Sequence, residues 1–313
     1  MNLEIAIVED EAELYAARLR AEFPDVVVHA GHTAEDVIDR CGTCNVIMGL
    51  AQCIPPAMVQ ATPGLRWIQA LTTGVDPLIM MDVLDPSVTI TSARGIHGPQ
   101  MSEMAFLFML DFARDIRGIL RDQQNRHWER RPQRLLLDKT VVIVGVGVIS
   151  EELARRCKAF GMRVVGVSSR PSADGFDAMV PRERLVEAAA QADFLIAIVP
   201  YTRDTHHLIS ASVLDAMPRH GVFINIARGP VVDEEALIER LRDGRIAGAG
   251  LDTFVEEPLP ATSPLWSLDN VIITPHVGGM SDIYAEQILP LLIHNVRAFK
   301  EGRMHDLRNL VRG

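Results

Sequence analysis

The sequence predicts an α/β protein made of two doubly wound parallel sheets, one following the other along the chain. Short apolar runs alternate with helical patterns through most of the 313 residues, and continuous runs of this kind mark parallel strands covered on both faces. The alternation is interrupted by one long helical pattern near residue 100 and restarts at Thr140. The length also fits about two domains of ordinary size.

The elements follow in order. The first series has strands at Leu3–Val8, Val26–His29, Val46–Leu50, Leu65–Leu71 and Val88–Thr91, with helices at Glu11–Phe23 and Ala34–Cys41. A helix from Gln100 to Gln124 comes next, with Met101, Met104, Ala105, Phe108, Met109 and Phe112 at helical spacing on one face. The second series has strands at Val141–Val144, Val164–Val167, Phe194–Val199, Val222–Ile226, Ala247–Leu251 and Val271–Thr274. The last segment, Asp282–Lys300 and beyond, reads as a helix returning to the first lobe. The predicted domains are residues 1–98 plus 282–313 and residues 99–281, with a small-molecule cleft expected between them.

Acidic residues outnumber basic ones 41 to 31, a net charge of −10. That balance provides no global field for a nucleic acid or an anionic membrane, so any anion must be held by a local site. The start, MNLEIAIVEDEAEL, carries acid where a leader needs positive charge, and no run approaches the ~18 apolar residues of a membrane span. Four cysteines do not make a disulfide framework in a chain this long, so a cytoplasmic protein with reduced thiols is expected. Cys41-Gly-Thr-Cys44 has half of a metal or redox spacing. With no second pair and no flanking histidine at ligand spacing, it predicts no metal site and reads as two thiols leading into a buried strand.

The second lobe opens with Val141-Val-Ile-Val-Gly145-Val-Gly147-Val-Ile-Ser150, which runs directly into the helical pattern Glu151–Phe160, closed by Gly161. A strand, a glycine turn and a helix in this order form a dinucleotide site. Gly145 permits the tight turn, and Gly147 lets N–H groups at the helix N-terminus approach a pyrophosphate. Ser150 replaces the third glycine; serine is small, so a slight shift is expected and not loss of the site. About 20 residues on, an NAD site needs a carboxylate for the ribose 2′-hydroxyl. The sequence has Ser168-Ser169-Arg170 there. Hydroxyls and a guanidinium suit a 2′-phosphate, so NADP(H) is expected, with NAD as the alternative.

Three more polar groups stand just past strands: Arg228 in Asn-Ile-Ala-Arg228-Gly, Asp252 and Glu257 in Asp252-Thr-Phe-Val-Glu-Glu257-Pro, and His276 in Thr-Pro-His276-Val-Gly278-Gly279. Strand carboxyl ends on one edge of a parallel sheet are where ligands bind. With these motifs, with Leu65-Arg-Trp-Ile-Gln-Ala-Leu-Thr-Thr-Gly74-Val75-Asp76 and with Pro200-x-Thr-x-x-Thr205, the chain resembles the D-isomer-specific 2-hydroxyacid dehydrogenases over most of its length.

The resemblance implies a flavodoxin-like substrate domain and a Rossmann cofactor domain. It implies that Arg228 binds the substrate carboxylate and polarises the keto oxygen, that His276 is the acid/base and that Glu257 is its partner. Backbone N–H groups at Gly74 and Val75 would grip the carboxylate, and Val148, Ile149, Val199, Pro200, Thr205, Ile226, Ala227, Asp252, Gly278 and Gly279 would line the cofactor. The chemistry is consistent with those roles. Hydride addition builds charge on the keto oxygen; an imidazolium can protonate it, and an adjacent carboxylate favours the charged ring.

Glu257 stands where formate dehydrogenases of the superfamily carry glutamine, and the absence of lysine from Leu71–Val75 disfavours phosphite oxidation. The sequence ends at Gly313, so the regulatory domain of many phosphoglycerate dehydrogenases is not expected. The expected activity is NADPH-dependent reduction of a small 2-keto acid of the glyoxylate or hydroxypyruvate type. NAD-linked oxidation of a D-2-hydroxy acid and a non-catalytic dinucleotide sensor of corepressor type are the alternatives. The resemblance also implies a homodimer, formed through the helix Gln100–Phe112 and the arm Arg121–Leu137.

Overall fold

The sequence alternation becomes two open sheets in the computed structural model, which describes residues 3–313. Met1 and Asn2, the start of the predicted first domain, lie outside the described residues. The chain divides into two compact units, Met1–Ile96 with Ser281–Gly313, and His97–Met280.

Unit 1 runs β1 (Glu4–Val8), α1 (Ala12–Glu22), β2 (Val27–Gly31), α2 (Ala34–Val37), β3 (Val46–Gly49), α3 (Pro56–Gln60), β4 (Trp67–Ala70), α4 (Asp76–Ile79) and β5 (Thr89–Thr91). Unit 2 runs α5 (Gly98–Arg114), α6 (Ile116–Gln124), β6 (Thr140–Val144), α7 (Val148–Ala159), β7 (Arg163–Val167), β8 (Ala178–Val180), α8 (Leu185–Ala189), β9 (Phe194–Ala197), α9 (Ala211–Ala216), β10 (Val222–Asn225), α10 (Glu234–Arg242), β11 (Gly248–Leu251) and β12 (Val271–Ile273). The chain then returns to unit 1 with α11 (Tyr284–Lys300) and β13 (Leu310–Arg312).

In unit 1 the strand order is β13-β5-β4-β3-β1-β2, parallel except for β13, which runs antiparallel to β5. The sequence did not indicate this edge strand, because Leu310-Val-Arg is short and largely exposed. Helix α11 packs Ile288, Leu292, Val296 and Phe299 into the same core as Tyr15, Leu19 and Trp67. A buried polar chain reinforces it. Trp67 donates to Thr91, Thr91 to Gln69 Oε1 and Asn295 of α11 to that same oxygen, each at 2.8 Å. The Gln69 amide nitrogen donates to Ala70 O and that of Asn295 also to Arg308 O, so each donor atom of this network has a partner, as burial demands.

In unit 2 the order is β12-β11-β10-β9-β6-β7-β8, and every pair is parallel. The chain starts in the middle at β6, moves outward through β7 and β8, then crosses back to β9, so the winding reverses between β6 and β9. The predicted helix Gln100–Gln124 is two helices. Asp115 adopts a left-handed conformation, φ 49°, and ends α5, a conformation that asparagine and aspartate tolerate better than most residues. Helix α5 buries Ala105, Phe108 and Met109 against the sheet, whereas α6 buries none of its residues.

Candidate active site

A parallel sheet carries all its carboxyl ends on one edge, and the strand order of unit 2 arranges the predicted residues along it. From β12 across to β7 the edge presents His276, then Asp252 and Glu257, Arg228, Val199–Thr205, Gly145–Gly147 and Ser168–Arg170. The reversal between β6 and β9 lies within this row, which is where such sheets bind ligands.

Local bonds fix the three polar groups. Asn225, wholly buried at the end of β10, accepts from Ala227 N at 3.0 Å through its side-chain oxygen and donates to the Arg228 carbonyl at 3.0 Å. The turn carrying Arg228 is therefore tied to the strand that launches it. The guanidinium donates to the Ala227 carbonyl at 2.8 Å. Gly229 follows because a Cβ there would collide with the backbone of Phe254 and Val255. That close approach sets Arg228 beside the loop bearing Glu257. The two acids of that loop do different work. Asp252, buried, accepts from Thr274 Oγ1 at 2.6 Å, Val277 N at 3.0 Å and Gly278 N at 2.9 Å, and so anchors the His276 loop. Glu257 Oε2 stands 2.8 Å from His276 Nδ1, and Oε1 accepts from Phe254 N at 2.9 Å.

His276 itself has φ 54°, a left-handed backbone held by the bond from its N–H to Thr274 O at 3.0 Å and by the Asp252 anchor. Burial pushes the Glu257 carboxyl up, but the bonds from His276 and Phe254 and the charges of His276 and Arg228 outweigh it, leaving it below 4.5. Glu257 is thus ionised at neutral pH. Its pairing contributes fully there and is lost only as pH falls through that lowered value.

The glycine turn fits a dinucleotide. Gly145 has φ 97° and meets Val199 Cγ1 at 2.6 Å and Ile198 O at 2.8 Å from its ideal Cβ position, so no side chain is tolerated. A Cβ at Gly147 would instead meet nothing within 4 Å, which leaves open space at the N-terminus of α7. Ser150, the substitute for the third glycine, is buried and donates to Gly145 O at 2.6 Å, bracing the turn. Val148 is exposed and Ile149 half-buried, whereas Val199, Ile226 and Ala227 are buried beside the edge. Pro200 is exposed. The buried Thr205 hydroxyl bonds Pro200 O and Thr202 N and so supports the turn that follows β9.

At the end of β7, Ser168 Oγ accepts from Arg170 N at 3.2 Å, and Ser169 is exposed. The Arg170 guanidinium pairs with Glu151 of α7 at 2.8 Å. Gly279 lies beside His97.

Gly74 and Val75 belong to unit 1, between β4 and α4. Thr72 Oγ1 donates to the Gly74 carbonyl at 2.7 Å. Among the described residues the N–H groups of Gly74 and Val75 have no hydrogen-bond partner. Sequence reasoning missed Asn225, Glu151 and the anchoring role of Asp252. A polar residue closing an apolar strand was the available signal for Asn225.

Asp252→Asn should test the anchor. It would put a donor against the Gly278 or Val277 N–H, and a loss of about 1–3 kcal/mol in the urea unfolding of unit 2 is expected.

The chain and its fold are similar to known proteins. Residues 106–278 match the family model "D-isomer specific 2-hydroxyacid dehydrogenase, NAD binding domain". A glyoxylate reductase from Thermococcus onnurineus is 34% identical over 266 residues, covering 82% of this chain and 79% of that one. A D-isomer specific 2-hydroxyacid dehydrogenase family protein from Aeromonas salmonicida superposes with a TM-score of 0.91 at 30% identity, covering 99% of each chain. A D-isomer specific 2-hydroxyacid dehydrogenase from Xanthobacter autotrophicus, solved with NADPH and MES, gives a TM-score of 0.84 at 29% identity, covering 99% of this chain and 98% of that one. The strand-edge row, the glycine turn and these likenesses together place the chain in the D-isomer specific 2-hydroxyacid dehydrogenase family, as an NAD(P)-dependent enzyme.

Proposed function

We propose that this enzyme reduces a small 2-keto acid, of the glyoxylate or hydroxypyruvate type, to the D-2-hydroxy acid with NADPH. The observation that carries the reading is the His276–Glu257 pair at 2.8 Å, with the charge of Arg228 acting on the same carboxylate. The nicotinamide cofactor, when bound, supplies the hydride. Arg228 offers a planar fork for carboxylate and carbonyl oxygens. With Nδ1 of His276 held by Glu257, Nε2 is the nitrogen left to protonate the developing alkoxide, and ionised Glu257 stabilises the imidazolium. The Gly74 and Val75 amides are a second element suited to a carboxylate oxygen.

The name of the Thermococcus relative supports a glyoxylate-type substrate. A panel of glyoxylate, hydroxypyruvate and pyruvate with NADPH tests the reading, and no oxidation of NADPH with any of them would overturn it. On the best substrate, His276→Ala should lower kcat by about 10²–10⁴-fold, and Arg228→Ala should damage both KM and kcat.

The preference for NADPH is supported by the absence of an acid at Ser168–Arg170 and by the bound NADPH of the Xanthobacter structure. Arg170 is held by Glu151, but both are partly exposed, and an exposed pair of this kind is worth little. A 2′-phosphate would therefore displace the carboxylate at small cost. Arg170→Ala should lower kcat/KM for NADPH by about ten- to a hundredfold, one charge-assisted bond's worth, and leave that for NADH nearly unchanged.

A homodimer completes the proposal. Helix α6 and the arm after it leave Ile116, Ile119, Leu120, Leu135 and Leu137 exposed, and Trp128 is 90% exposed. So much apolar surface on one segment fits a self-complementary interface. Light scattering should give twice the 34.6 kDa chain mass, and Leu120→Asp should shift it toward the monomer.

A further inference from the structure

Unit 1 assembles a second cluster that the proposed chemistry does not use. Glu4 opens β1, His29 lies in β2 two residues beyond Glu4's register partner Val27, and Cys44 ends the turn leading into β3 on the other side of β1. One ligand atom from each of the three lies within 4.8 Å of the other two. His29 Nε2 is 2.7 Å from Glu4 Oε1, and Thr43 Oγ1 donates to that same oxygen at 2.6 Å, which orients the carboxylate. Glu4 and His29 are largely covered, and Cys44 is buried. The Cys44 thiol donates to Arg40 O at 3.4 Å, which fixes its sulfur within reach of the pair and leaves the sulfur's lone pairs available to a metal ion.

We propose that Glu4, His29 and Cys44 form a site for a divalent ion of the zinc type. The donors are a carboxylate oxygen, an imidazole nitrogen and a thiolate sulfur, with water as the fourth ligand. This mixed oxygen, nitrogen and sulfur set selects zinc or cobalt(II) over magnesium or calcium. Tetrahedral ligands at zinc bond lengths stand about 3.3–3.8 Å apart. The 2.7 Å pair has to open slightly and the thiol to close slightly, which side-chain rotation supplies. Thr43 then plays the part of an outer partner that fixes a ligating carboxylate.

Without metal the thiol stays protonated, since burial and the nearby thiol and carboxylate push it up to about 12. Binding displaces that proton to solvent as the sulfur–metal bond forms, and histidine coordinates as the neutral ring. Both thiols donate to main-chain carbonyls one turn back, Cys41 to Val37 O at 3.5 Å and Cys44 to Arg40 O at 3.4 Å. Cys44 Sγ is the sulfur that lies within 4.8 Å of both the carboxylate and the imidazole, so Cys41 does not join in and the Cys-x-x-Cys pair is not the ligand pair its spacing resembles. Glu4 and Cys44 stand at the amino ends of β1 and β3, the edge of the unit 1 sheet opposite to that of Gly74 and Val75, which follow the carboxyl end of β4. The ion is therefore structural, fastening the starts of β1 and β3 to β2.

Cobalt(II) titration of the chelator-stripped full chain tests this. One equivalent per chain is expected to give the intense visible bands of tetrahedral cobalt and a near-ultraviolet thiolate-to-cobalt band, both bleached by zinc. Cys44→Ser should abolish the thiolate band, His29→Ala should weaken binding at least tenfold, and Cys41→Ser should retain the band. Zinc should raise the melting temperature of the wild type and not that of Cys44→Ser, with kcat unchanged by either metal. No thiolate band in the wild type, or its persistence in Cys44→Ser, would overturn the site. The wild-type titration decides even if a variant fails to fold.

Discussion

A parallel sheet puts every carboxyl end on one edge, and the candidate site depends on that constraint. Because β12, β11 and β10 are neighbours, the loops bearing His276, Glu257 and Arg228 start within a few strand spacings of one another. The next strands, β9, β6 and β7, deliver the turns that suit a dinucleotide. Adjacent strands lie about 4.8 Å apart, so neighbours in sheet order become neighbours in chemistry however far apart they are in sequence.

Adjacency alone does not aim a side chain. Aim comes from buried polar groups that hold the loops: Asn225 on the Arg228 turn, Asp252 on the His276 loop and Ser150 on the glycine turn. Asn225 and Asp252 sit where a strand's ladder runs out and Ser150 in the first turn of α7, places where the loop's own N–H and C=O groups would otherwise be unpaired. Satisfying those groups from a rigid element positions the side chains proposed to react with little freedom left. Asp252 bonds only the loop it anchors, through Thr274 Oγ1 and the Val277 and Gly278 N–H groups, whereas Glu257, five residues on, reaches the His276 imidazole.

Much of this was legible in the residues. The strand runs, the Gly145-x-Gly147 turn and the chemistry placed after each strand were all readable, because apolar periodicity and turn stereochemistry are local. Less was readable where local pattern and tertiary contact disagree. Apolar spacing continues from Phe112 into Ile119 and Leu120, yet the helix breaks at Asp115. There Arg131 binds both Asp115 and Asp122, and Arg117 reaches the carbonyls of Asp269 and Val271. Strands β8 and β13 carry no long apolar run and exist because a partner strand is there to pair with.

The sequence by itself determined the central strands of both sheets, their order and the kinds of chemistry waiting at their ends, since these follow from steric and hydrophobic preferences spanning a few residues. Only the tertiary structure decided which polar groups meet. Arg170 with Glu151, Asp252 with the His276 loop, and Glu4 with His29 and Cys44 are pairings across 19 to 40 positions of chain. Such distances are set by strand register and order, and register is a property of the packed sheet as a whole, carried by no single segment.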